Sequence, residues 1–147
     1  MPTAFLDSSA ALKLYFEETG SESMRAFAGR GLPCAICSIG AVEFRAVVRA
    51  KERSRVLSGG DARSMLVHFE QRVRHAWTYQ PVNEVVFALS AVLIDRHPLR
   101  APDALQLAAA MVLLQIQPIE FVSSDHRLLE AARREGLACW DPAGGVE

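Results

Sequence analysis

Apolar residues along the chain fall into short continuous runs and longer helical stripes, in alternation. Ala4-Phe5-Leu6 is an unbroken apolar run that ends on Asp7, and Leu12, Tyr15 and Phe16 then recur at the i, i+3, i+4 spacing of a helix face. The pattern predicts a strand that turns into a helix, with Asp7 at the junction. A strand without polar alternation reads as buried on both faces, as in a parallel sheet. Glu17 to Ser21 is a polar break in which Gly20 could cap the first helix. A short helix from about Ser21 to Ala28 and a second strand over Pro33–Cys37 follow. Ser38 reads as the N-cap of a helix whose stripe is Ile39, Val42, Ala46, Val47 and Ala50, with Glu43 on or beside it.

Further along, Gly59-Gly60 reads as a turn and Asp61 as the cap of a helix with core positions Ala62, Met65, Phe69 and Val73. Trp77-Thr78-Tyr79 fits either an edge strand or a loop. Val82, Val85, Val86, Leu89 and Leu93 mark a helix that His97-Pro98 stops. Pro102 suits the first position of the next helix, which is apolar nearly all round from Ala104 to Leu114 and is expected to be central. Ile119–Val122 is another strand, His126–Arg134 a helix with Gly136 as its C-cap, and Leu137–Trp140 a last strand before a Gly-rich tail. Strands alternating with helices imply an α/β fold, a parallel sheet covered by helices.

Composition adds bounds. With 147 residues, half of them hydrophobic, and a formal net charge of −1, the chain fits one globular domain over residues 1–147. Near-neutral charge gives no global attraction to nucleic acid, so such binding would need a local patch. The start of the chain lacks the basic region of a signal peptide. The most apolar stretch, Leu105 to Ile116, is interrupted by Gln106 and Gln115 and is too short to cross a membrane. Three cysteines without framework spacing suit a reducing cytoplasm. Cys34 and Cys37, if in a strand, point to opposite faces and cannot readily share a metal.

The chemistry is carried by carboxylates. Asp7 and Asp125 stand at strand ends entering helices, Glu43 on the helix after the second strand, and Asp103 at the start of the buried helix. Taken alone, Asp7 and Asp125 could simply cap helices. In one parallel sheet, however, all four could converge at the carboxyl edge, where open α/β sheets bind ligands. Converging carboxylates repel and raise one another's pKa. A hard divalent cation relieves that repulsion, and an all-oxygen donor set points to Mg²⁺ or Mn²⁺ rather than Zn²⁺. Arg45, Arg49, Lys51, Arg53 and Arg55 form a basic run, either a solvated face or a phosphate-binding rim.

At these residues the chain resembles the PIN-domain nucleases, and among them the VapC-type toxins of bacterial toxin–antitoxin pairs. The resemblance rests on Leu6-Asp7-Ser8-Ser9-Ala10 with Lys13-Leu14-Tyr15, and on Ser38 with Glu43. It continues in Leu99-Arg100-Ala101-Pro102-Asp103-Ala104 with Leu107-Ala108, and in Phe121-Val122-Ser123-Ser124-Asp125 with Arg127-Leu128. It implies a three-layer α/β/α domain with a short parallel sheet of about four to five strands. Asp7, Glu43, Asp103 and Asp125 match the family's acidic quartet and would hold Mg²⁺ or Mn²⁺. Ser9 matches the hydroxyl residue two after the first aspartate, and Ser123 stands where the family often has Thr. Ala11 departs from the family's common Leu, which touches packing only.

The same resemblance implies a metal-dependent endoribonuclease, an antitoxin partner and a homodimer, with Arg45, Arg49 and Arg100 as candidates for the RNA backbone. The rival class is a catalytically inactive binding module of the same fold, gripping RNA or protein. A quartet of acids at one edge argues against it. A phosphatase with paired Asp-x-Asp would want an acid at Ser9, and a phosphoacceptor receiver domain would want adjacent N-terminal acids where Ser8 stands. His68, His75, His97 and His126 offer no evident pair for acid–base cleavage of RNA without a metal. Asp95 and Glu120 read as structural.

Overall fold

The computed structural model describes residues 1–144; the end of the Gly-rich tail lies outside the described residues. Five strands, β1 (Thr3–Leu6), β2 (Cys34–Cys37), β3 (Thr78–Gln80), β4 (Ile119–Val122) and β5 (Ala138–Trp140), form one sheet in the order β3-β2-β1-β4-β5. Every neighbouring pair is parallel. Seven helices connect them among the described residues: α1 (Ser8–Leu12), α2 (Ser21–Gly29), α3 (Ser38–Arg53), α4 (Gly59–His75), α5 (Glu84–Arg96), α6 (Ala101–Leu114) and α7 (His126–Arg134).

Alternation along the strands splits the core in two. Phe5, Ala35, Cys37, Ile119 and Phe121 pack with Val86, Leu93, Leu107 and Leu128, which come from α5, α6 and α7. Ala4, Leu6, Cys34, Ile36 and Val122 face the other way, against Ala10, Ala11, Met24, Phe44 and Val48 of α1 to α3. The result is the expected three-layer α/β/α arrangement. β1 is central and fully covered, which explains its lack of polar alternation. Cys34 and Cys37 lie on opposite faces, and burial pushes both thiols up to about 11. Neither is a thiolate at neutral pH.

Several local expectations change. The buried line of α3 is Gly40, Phe44 and Val48, whereas Val42 is 62% exposed and Ala46 and Ala50 are also exposed. Phe44 decides this register, because it stacks on Phe69 at 3.8 Å and meets Tyr15 edge-on at 5.0 Å. Ser38 is the first residue of α3 rather than its cap, and its Oγ accepts the Val82 N–H at 2.9 Å. Ser58, not Asp61, caps α4, accepting the Asp61 N–H at 3.0 Å, so Gly59 and Gly60 open the helix instead of turning before it. The first helix stops at Leu12, and Gly20 precedes α2 with φ +93° rather than closing α1. A Cβ at Gly20 would meet the Pro142 carbonyl carbon at 2.8 Å, so glycine lets Pro142 and Ala143 lie against this turn. Of Trp77-Thr78-Tyr79, Thr78 and Tyr79 lie in the edge strand β3 and Trp77 precedes it.

The corrected α3 register is testable by urea denaturation. Phe44→Ala should cost about 3–5 kcal/mol, while Val42→Ala should stay within about 0.5 kcal/mol.

Candidate active site

The chain moves outward from β1 to β2 and β3, then returns to the other side of β1 with β4 and β5. The carboxyl ends of β1 and β4 are therefore the topological switch point, where such sheets open a crevice. Leu6 is in register with Val122, so Asp7 and Ser123 leave the sheet side by side, and the Asp7 N–H donates to the Val122 carbonyl at 3.1 Å.

Asp7 is 3% exposed. Its Oδ1 accepts the Ala10 N–H at 2.9 Å and the Ser9 hydroxyl at 2.7 Å, and its Oδ2 accepts the Ser123 hydroxyl. Asp7 thus caps α1 and stands at the switch point with one and the same carboxylate. The two hydroxyls also accept: Ser9 Oγ takes the Ser124 N–H at 3.2 Å, and Ser123 Oγ takes the Asp125 N–H at 3.0 Å. Ser9 and Ser123 thereby lock the turn after β1 to the turn after β4. Asp125 caps α7, with Oδ1 accepting from Arg127 and Leu128 at 3.0 and 3.2 Å. Glu43, half-buried on α3, accepts from Ser8 Oγ at 3.3 Å and from Gln106 Nε2 at 2.6 Å. Asp103 lies in the first turn of α6 and pairs with Arg100 at 3.3 Å.

Electrostatics link these groups. Burial pushes the Asp7 carboxyl up to about 6, against the pull of its three donors, and the charge of Asp103 adds to the rise. Glu43 is raised by burial and then by Asp103. Asp103 is raised by burial and by Asp125, and Arg100 opposes this. Asp103 is thus the acid whose charge acts on both Asp7 and Glu43. Of the predicted cations, only Arg100 touches the site. Arg45 pairs with Glu70 of α4 and Arg49 with Glu52 of α3. His68 bonds Tyr15, His97 pairs with Glu135, and His126 lies beside Asp141.

As the side chains stand, no group of three Asp, Glu, His or Cys residues among the described residues is set to hold a metal ion. The donor chemistry nevertheless fits a hard cation: every candidate atom is a carboxylate or hydroxyl oxygen, and the raised acids gain most from a positive charge. Sequence reasoning missed Gln106 and Ser8. The signal for Gln106 was available, since it is the polar interruption of an otherwise apolar helix, three residues after Asp103.

Residues 4–134 match the family model described as PIN domain. The chain is similar to Ribonuclease VapC47 of Mycobacterium tuberculosis, 30% identical over 94% of this chain and 96% of that protein. Among solved structures it resembles FitAcB from Neisseria gonorrhoeae, with a TM-score of 0.72 and 17% identity over 95% of this chain and 98% of that one. It also resembles VapBC2 from Rickettsia felis bound to a DNA fragment from its promoter, with a TM-score of 0.65, 13% identity and the same coverages. At these identities the two structures speak for the fold.

The raised Asp7 carboxyl sets a pH dependence. Its folded value lies above the unfolded one, so its contribution to stability is fullest below pH 4 and is lost as the pH rises through about 6. In EDTA at pH 8, Asp7→Asn should therefore be more stable than wild type by about 1–3 kcal/mol. The gap should close below pH 4. Thermal melts across that range check the sign, and a variant less stable at pH 8 would mean that the carboxylate is structurally required.

Proposed function

Because the chain belongs to the PIN-domain family, we propose that it is a Mg²⁺- or Mn²⁺-dependent endoribonuclease acting as the toxin of a toxin–antitoxin pair. One observation supports the enzymatic reading: Asp7 and Asp125 follow β1 and β4 at the switch point, and the charge of Asp103 reaches both Asp7 and Glu43. A module that only bound RNA would gain nothing by concentrating negative charge where phosphates lie. The name of the ribonuclease relative supports the substrate class. The toxin–antitoxin assignment is supported by relatives such as the Klebsiella pneumoniae toxin–antitoxin complex, at a TM-score of 0.59 and 16% identity.

Asp7, Glu43 and Asp103 would hold the ion, with Asp125 supporting it or a second one. When bound, the cation would lower the pKa of an attacking water and balance charge on the phosphodiester. The chain's own part is orientation. Ser9, Ser123 and the Ala10 N–H fix Asp7, so its carboxylate is placed before substrate arrives. Arg100, 78% exposed at the side chain and paired with Asp103, is the cation that would meet a phosphate beside the acids. Arg45 and Arg49, which pair with Glu70 and Glu52, remain candidates for the RNA backbone. An antitoxin partner and a homodimer complete the reading. No helix among the described residues is long and apolar enough to cross a membrane.

Cleavage of RNA should require Mg²⁺ or Mn²⁺, stop with EDTA, and leave 5′-phosphate and 3′-hydroxyl ends. Cyclic-phosphate products, or full activity in EDTA, would sink the mechanism. Asp7→Ala and Asp103→Ala should each lower the rate by at least about 100-fold, since even outer partners of metal ligands are worth 10–100-fold. Expression of the wild-type chain should slow bacterial growth, and Asp7→Ala should not; equal growth would count against the toxin role alone.

A further inference from the structure

Gln106 is 1% exposed in a helix whose neighbours Ala104, Leu107, Ala108, Ala109 and Ala110 are all fully buried. A primary amide in such a place must have partners for both its ends. Its Oε1 accepts the Ser8 N–H at 3.0 Å, and its Nε2 donates to Glu43 Oε1 at 2.6 Å. The amide orientation is chemically determined. A backbone N–H can only donate and an ionised carboxylate can only accept, so the oxygen faces α1 and the nitrogen faces α3. Ser8 Oγ donates to the same Glu43 oxygen at 3.3 Å. Oε2 of Glu43 accepts no hydrogen bond among the described residues. Space for the amide comes from Gly40, one turn before Glu43: a Cβ there would stand 3.3 Å from Gln106 Oε1 and 3.2 Å from Ile36 Cγ1.

We propose that Gln106 is a positioning residue of the acidic site. Its amide ties the start of α1 to Glu43 and holds that carboxylate by one oxygen, which leaves the other for a divalent cation. This assignment rests on the metal-dependent reading above. The geometry suits it, because α1, α3 and α6 follow or carry Asp7, Glu43 and Asp103, and Gln106 lies one turn beyond Asp103 on the same face of α6. A glutamine buried only for packing would need partners of some kind, but not an acid of the site, nor a glycine kept opposite its oxygen. Outer partners that orient a metal-bound carboxylate act in this way in metal sites generally.

Mn²⁺ binding to the purified protein, read from the free-ion signal in electron paramagnetic resonance, tests the assignment without RNA. Gln106→Met keeps the volume and removes both hydrogen bonds. It should weaken Mn²⁺ binding by about 10–100-fold. Leu113→Ala, buried near the far end of the same helix, should lower the melting temperature without changing Mn²⁺ affinity. Gly40→Ala, which keeps the amide but crowds its oxygen, should weaken Mn²⁺ binding in the same direction and serves if Gln106→Met does not fold. Wild-type affinity in both Gln106→Met and Gly40→Ala overturns the assignment while leaving the metal reading intact. So does an equal loss in Leu113→Ala, which would mean general softening. A wild-type protein that takes up no Mn²⁺ overturns the metal reading and this assignment together.

Discussion

A carboxylate withdrawn from water at the point where the sheet reverses direction is the constraint on which the rest depends. Asp7 is buried by the same close packing that makes β1 the centre of the fold, and burial favours its protonated form. Three donors work against that preference, two of them hydroxyls that also fasten the β4 turn. The network therefore serves the fold and the site at once. It caps α1, closes the seam between β1 and β4, and keeps a carboxylate on an edge that would otherwise be apolar. The neighbouring acids extend the same tension, because each is partly buried or crowded and Arg100 is the only nearby cation among the described residues.

Much of the architecture could be read from the chain because its strands are fully buried and its turns are chemically marked. Apolar runs closing on Asp7 and on Ser123-Ser124-Asp125 located β1 and β4, and a nearly all-apolar helix located α6. The direction of the chain through these elements brings Asp7 and Asp125 to neighbouring strand ends, as the alternating pattern implies. What misled was α3. Ile39, Val42, Ala46, Val47 and Ala50 form a plausible stripe, yet the face is chosen by a partner, the α4 aromatic Phe69, which no periodicity within α3 contains. Caps failed for a similar reason. Ser38 and Asp61 are good capping residues by type, but Ser38 found a long-range donor in Val82 and Ser58 reached the helix first.

Gln106 shows the limit from the other side. As one letter in a hydrophobic stretch it reads as an interruption. Only the packing of α1 against α3 and α6 shows that its amide closes a circuit between a backbone donor and an acid. Long-range polar pairing of this kind leaves no local pattern. The basic run on α3 is the converse case: it stands out in the sequence, while in the structure Arg45 and Arg49 are each engaged by a nearby glutamate.

The seam between β1 and β4 joins residues 116 positions apart, as in the bond between Ser123 and Asp7. Such distant pairing is reached late, after shorter loops have closed. During synthesis β1 therefore waits, with one edge open, for a partner that is made more than a hundred residues later. Until that partner leaves the ribosome there is no crevice between β1 and β4. A nascent chain that ends before β4 would thus lack both the β1–β4 seam and the turn that carries Asp125.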